Sequence, residues 1–178
     1  MDARKCERGA LAAFAAPMRE KISRSLTPGE KTLVRSVFGD AVDCSKVRLV
    51  LGKWWPFQPR GTAMAPMGNI HFHPNGGGWS DDFSKERLPA QAFFIHEMTH
   101  VWQAQNGGRF YLPLARHPFC KYRYEFIPGR PFRKYGLEQQ AEIVRHAFLL
   151  SNGVTPGGAP PLEELGGILP WRQGESGS

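Results

Sequence analysis

Apolar residues recur along this chain at two spacings, and the change of spacing marks out the elements. From Ala90 to Gln105 nothing breaks a helix, and Phe94, Met98, Val101, Trp102 and Gln105 follow one another at three- and four-residue steps, the stripe of a helix that lies on a core. Pro89 suits the first turn, and Asn106, Gly107 and Gly108 stop the run. Thr27, Pro28 and Glu30 announce an earlier helix, with a cap, a proline at the first helical position and an acid three residues after the cap. It should reach Phe38 and close at Gly39. A third helix is expected from about Leu137 to Leu150, ended by Asn152 and Gly153. Residues 47–51 and 69–73 read as strands. Between them Trp54, Trp55, Pro56, Phe57 and Pro59 form an extended or turning loop, because proline removes ladder donors. Its aromatics should cap the core, with a ligand-stacking platform as the sharper alternative. Gly76, Gly77 and Gly78 mark a turn or flap and not a phosphate loop, since no Lys-Ser/Thr follows them.

With 178 residues, 41% of them hydrophobic, the chain suits one globular domain. We expect a helical N-terminal extension over 1–25, the domain proper over 26–153, and a Gly/Pro-rich, poorly ordered tail without chemistry over 154–178. Mean hydropathy is −0.40 and no apolar run is long enough to span a bilayer. Arg4, Lys5 and Arg8 before the Ala-rich stretch 10–16 imitate a signal peptide, but the apolar part is short and runs into Pro17, Arg19 and Glu20. Synthesis in the cytoplasm without a cleaved signal is therefore expected. Cys6, Cys44 and Cys120 show no C-x-x-C spacing, which indicates neither a disulfide framework nor a thiolate finger. The net charge of +7 favours acidic partners. Much of it lies in residues 109–134, where Arg and Lys alternate with Phe and Tyr. Without a nucleic-acid motif, a solvated rim around a cleft is the expected role of that segment, and nucleic acid is not an expected partner.

The chemistry is carried by His96, Glu97 and His100, an H-E-x-x-H run in the middle of the second helix. Side chains four apart on a helix lie one above the other, so both imidazoles can converge on one metal ion, while Glu97 can reach a metal-held water without being a ligand. The bland alternative is a pair of core histidines that only form hydrogen bonds. A catalytic zinc usually has three protein ligands, which leaves one to find. Glu138 and Glu142 share a face of the third helix; Glu138, in its first turn, is the expected ligand and Glu142 the alternative, with the other acid free to orient a histidine. A solvated helix face bearing both acids is the structural competitor. His71 and His73 alternate on the second strand and are expected to flank the cleft. His117 and His146 have less support. Tyr135 is expected to pack, with donation to an oxyanion as the alternative.

The runs IHEMTHVWQ and YGLEQQAEIV, preceded by WWPFQPRGTAMAPMGNIHF, resemble the small Vgr-related zincin-type metallopeptidase domains found beside or fused to the spike proteins of bacterial type VI secretion. The similarity covers about residues 26 to 151. Glu138 and Glu142 also look like the E-x-x-x-D/E helix signature of gluzincins. The resemblance implies an α+β, zincin-like fold in which the H-E-x-x-H helix packs with a small antiparallel sheet and a second, glutamate-bearing helix. It implies Zn2+ held by His96, His100 and Glu138, with Glu97 activating a zinc-bound water to hydrolyse peptide bonds. It further implies an antibacterial effector exported by type VI secretion into a target cell, where it would act in the periplasm. Its partners would then be a protein or peptide substrate, a Vgr spike and a neutralising protein. An extended substrate could pair with the edge of the strand at 69–73. A zinc amidase acting on cell-wall peptide stems and a non-catalytic scaffold that binds a partner are the rival readings.

Overall fold

A computed structural model of the chain describes residues 22–107 and 123–172. Strand β1 (Ile22–Ser25), strand β2 (Arg48–Leu51) and strand β3 (Ile70–Phe72) form a sheet in the order β1-β2-β3. β1 runs antiparallel to β2, from Ile22 opposite Leu51 to Ser25 opposite Arg48. β3 runs parallel to β2, with Leu49 opposite Ile70 and Leu51 opposite Phe72. The sheet is therefore mixed, where an antiparallel one was expected. The chain from Gly52 to Asn69 is long enough to cross over and return in the same direction, which a tight hairpin could not do. β1 also lies at the end of the segment expected to be a helical extension; residues 1–21 of that extension fall outside the described residues.

Helix α1 (Pro28–Phe38) begins with the anticipated capping box: Glu30 N–H donates to the Thr27 hydroxyl, and the Glu30 carboxylate accepts from Thr27 N–H. The same carboxylate is fully buried, where it meets Arg24 through two nitrogens at 2.8 and 2.7 Å and accepts from Phe83 N–H at 2.9 Å. A local cap thereby also fastens β1 and the 82–86 loop to α1. Helix α2 (Leu88–Gly107) carries the histidine motif. Every residue from Phe94 to Ala104 on it is buried, so the histidine face looks into the protein and not to solvent. Phe83 stacks on Phe94 at 4.8 Å between ring centres and on Phe72 of β3 at 5.6 Å, which joins the helix to the sheet. Helix α3 (Leu137–Ser151) packs along α2 and ends at Asn152, with Gly153 at φ 77°, the left-handed conformation that suits glycine.

The C-terminal stretch departs from expectation. Its Gly and Pro content suggested a loose tail from 154, yet helix α4 (Leu162–Ile168) folds back on α3. Leu165 and Leu169 are buried, and Trp171 contacts Phe38 at 4.8 Å, Trp102 at 5.0 Å and Phe132 at 5.8 Å. Leu162, Leu165, Leu169 and Trp171 supply an apolar face that outweighs the cost of ordering the glycines around them. The fold thus continues through 172. Among the described residues, no helix is long and apolar enough to cross a membrane.

Candidate metal centre

His96 and His100 stand one turn apart on α2 with ring centres 5.1 Å from each other. Glu138, in the first turn of α3, reaches between them: its Oε2 is 3.3 Å from His96 Nε2 and 3.3 Å from His100 Nε2. All three side chains are buried, and one ligand atom of each lies within 4.8 Å of the others, a group that could hold a metal ion. Glu142, one turn further along α3, is placed differently. Its Oε1 stands 2.9 Å from the other nitrogen of His96, Nδ1. Glu138 is thus the acid inside the group that could hold an ion, while Glu142 stands behind His96 on its other nitrogen.

His100 has its own support, which the sequence did not reveal. Gln103 donates through Nε2 to the Leu137 carbonyl and to Gln140 Oε1, each at 3.0 Å, so its oxygen is the end that meets His100 Nδ1 at 2.8 Å. Nδ1 then carries a proton, and Nε2 is the nitrogen that faces Glu138. That nitrogen is buried without a hydrogen-bond partner among the described residues. An imidazole nitrogen and a carboxylate oxygen 3.3 Å apart are two donor atoms that one cation could share. The donor set of two imidazole nitrogens and one carboxylate fits a borderline divalent metal.

Around this centre the charges are strongly perturbed. Burial disfavours the charged form of His96, but the hydrogen bonds to Glu138 and Glu142 outweigh it and lift the imidazole to about 9. Burial would raise Glu142, yet His96 and Arg145 hold it down at about 2. Arg145 grips Glu142 through Nε at 3.0 Å and Nη2 at 2.7 Å. His146 Nε2 lies 3.6 Å from Glu142 Oε2, and the Tyr124 hydroxyl is 2.8 Å from its Nδ1. Burial pushes the His146 imidazole down and the Tyr124 phenol up, so Tyr124 donates to a neutral ring. Gln103, Gln140, His146 and Tyr124 all belong to the supporting shell.

Glu97 and His96 open onto a cavity of about 280 Å³, walled by Gly61, Thr62 and Ala63 on one side and by Glu142 and Arg145 on the other. Glu97 Oε2 is buried and, among the described residues, has no hydrogen-bond partner. His71 and His73 stay out of the metal group: His71 packs against Trp54 at 5.5 Å, and His73 Nδ1 accepts from Asn75 N–H at 3.0 Å. The edge of β3 is not open to a peptide at His71, because Met64 N–H and C=O already bond to it at 3.0 and 2.8 Å. Tyr135 packs, its hydroxyl accepting from Ile127 N–H at 3.1 Å. Cys44 is a buried free thiol; Cys6, Cys120, His117 and the part of the basic, aromatic segment up to residue 122 lie outside the described residues.

The fold and this constellation define an α+β domain with a buried His-His-Glu centre at the mouth of a cleft. The chain matches the solved effector domain of Pseudomonas aeruginosa VgrG2b at 35% identity and a TM-score of 0.66, over 87% of this chain and 86% of that one. It belongs to the family of that effector domain. The type VI secretion system spike protein VgrG2b of the same organism is 42% identical over 135 residues, which are 72% of this chain but 13% of the spike protein. The chain thus spans a small part of that relative. No family model matches it.

Proposed function

We propose that this domain is a zinc peptidase and acts as a type VI secretion effector. The observation that carries the reading is the convergence of His96, His100 and Glu138, with each histidine anchored from behind by an acceptor on its far nitrogen. His96, His100 and Glu138 would hold the ion. Zinc, when bound, supplies a Lewis acid and lowers the pKa of a water molecule to near 7. Glu97, facing the cleft with an unengaged oxygen, takes the proton from the attacking water and delivers it to the leaving amine. Glu142 and Gln103 fix the orientation and tautomer of the two histidines. Burial of the group on α2 and α3 excludes bulk water from all sides but the cleft. Because Met64 covers the edge of β3, the extended substrate lies along the Gly61–Ala63 wall instead.

Membership in the VgrG2b effector-domain family supports delivery by the secretion apparatus in company with a Vgr spike. A producer that exports such a domain needs a neutralising partner of its own. The deciding experiment measures bound zinc in the wild type and in His100→Ala, then expresses the wild type and Glu97→Ala in the cytoplasm and, with an added signal, in the periplasm of a test bacterium. Zinc at full occupancy in His100→Ala would overturn the site. Toxicity that survives Glu97→Ala would overturn the enzymatic reading and leave a binding scaffold. Release of soluble muropeptides with intact proteins would move the reading to an amidase.

A further inference from the structure

The loop from Gly52 to Gly61 exposes more aromatic surface than any other described segment. Trp54 is 42% exposed, Trp55 45% and Phe57 79%, whereas Ile22, Ile127 and Val154, the other exposed large apolar residues described, are scattered singly. These aromatics are not a frayed end of the core, because the loop has a fixed frame. Buried Gln58 accepts from Trp54 N–H at 2.8 Å and donates to the carbonyls of Thr62 and His71 at 2.8 and 3.0 Å. Lys53 Nζ donates to the Pro56 carbonyl at 3.1 Å, and Trp55 meets Phe57 edge-on at 5.6 Å. Gly76 lies so close to the Arg60 carbonyl that no Cβ fits there. A built loop that holds tryptophans and a phenylalanine outward is constructed to place them in something.

Charge says what that is. From Cys44 to Ser80 the sequence has no Asp or Glu, and Lys46, Arg48, Lys53 and Arg60 are its ionic residues. Lys53 and Arg60 flank the aromatics, and their field, after burial, helps keep the His73 imidazole neutral. Tryptophans with a polar N–H edge beside an exposed phenylalanine, set between cations, match the interface of a bilayer with anionic headgroups. A neutral glycan would use the rings but would offer the cations no counter-charge.

We propose that the 53–60 loop docks the protein on anionic membranes: Trp55 and Phe57 enter the headgroup–acyl boundary, and Lys53 and Arg60 meet lipid phosphates. The loop runs directly into Gly61, Thr62 and Ala63, one wall of the cleft. Docking therefore presents the cleft to peptide segments at the membrane surface; this consequence alone rests on the peptidase reading.

The test uses the full chain with vesicles of phosphatidylethanolamine and phosphatidylglycerol, and with phosphatidylcholine vesicles, at about 0.15 M salt. The wild type is expected to sediment with the anionic vesicles and to show a blue-shifted tryptophan emission. Trp55→Ser combined with Phe57→Ser keeps the net charge and should weaken partitioning about tenfold or more. Lys53→Gln combined with Arg60→Gln should also weaken it, whereas Val154→Ser should not. Thermal melts of the exposed-residue variants should match the wild type. Equal partitioning of the aromatic double variant would reduce the effect to adsorption by net charge and overturn the proposal. So would absence of wild-type binding to anionic vesicles, or retention on peptide-free glycan strands in their place. Zinc content should be unchanged by these substitutions, so loss of docking and loss of the proposed metal site read out separately.

Discussion

Glu142 Oε1 lies 2.9 Å from His96 Nδ1, on the side of the imidazole opposite Glu138. Two carboxylates four residues apart on α3 thus meet the two nitrogens of one ring, and the roles proposed for them differ by which nitrogen they face. Glu138→Ala should abolish metal retention through desalting. Glu142→Ala should leave binding measurable but about 10–100-fold weaker, the usual cost of an outer partner. Metal competition with a chelator of known affinity checks both; equal losses would remove the distinction.

The same logic applies to Gln103, whose oxygen meets His100 Nδ1. Gln103→Leu removes the acceptor facing His100 Nδ1 and takes the donor away from buried Gln140 Oε1 and from the Leu137 carbonyl. Metal affinity should drop by about 10–100-fold. Full affinity in that variant would show that His100 needs no outer support.

How far the site was legible depends on how local each relation is. Thr27 and Glu30 are three residues apart, and His96 and His100 four, so helical geometry alone brings each pair together. Glu138 against Glu142 required the packing of α3 on α2, which no spacing reports. Gln103 follows His100 by three residues, but its meaning comes from Leu137 and Gln140 across the interface. Leu165, Leu169 and Trp171 were hidden by the glycines and prolines around them, although Trp102, which Trp171 meets, lies on a stripe that read as core-facing. Strand direction was hidden because pairing depends on the path of the 52–69 crossover and not on the alternation within β3.

The raised His96 and depressed Glu142 set a pH window for the metal-free protein. Glu142 falls from an ordinary 4.5 to about 2, so its contribution is complete above 4.5 and is lost as pH falls through 2. His96 rises from 6.5 to about 9, so its contribution is complete below 6.5 and is lost as pH rises through 9. Chelator-treated protein should melt highest between pH 4.5 and 6.5, and Glu142→Gln should flatten the profile. A metal bound at the proposed site would have to displace the His96 proton below pH 9. Apparent zinc affinity should accordingly climb about tenfold per pH unit between 6.5 and 9. A pH-independent affinity there would contradict the proton assignment.

Glu97 pairs a proposed role with a structural cost. Its buried Oε2 lacks a hydrogen-bond partner among the described residues, and such a group destabilises the fold that contains it. Glu97→Gln in the zinc-loaded protein should therefore melt no lower than the wild type while peptide turnover falls by about 10²–10⁴-fold. A variant that loses activity together with stability would assign Glu97 to the fold.

The C-terminal helix offers the sharpest test of the domain boundary. Leu165 is completely buried between α4 and α3, and Trp171 lies against Trp102 on the helix that carries both histidines. Leu165→Ala should cost about 2–5 kcal/mol, since removing buried methyl groups loses their transfer energy and leaves a cavity. For a domain of this size that corresponds to a fall in Tm of roughly 4–20 °C. Deleting residues 154–178 should cost more, because it also strips the cover from Phe38, Trp102 and Phe132. The proposed metal ligands are untouched by Leu165→Ala, so zinc affinity measured well below the melting transition should stay within about threefold of the wild type. An unchanged Tm after deletion would return the segment to the loose tail that its composition suggests. A large loss of zinc affinity in folded Leu165→Ala would show instead that Trp102 and Trp171 set the position of α2, and that the tail is part of the site.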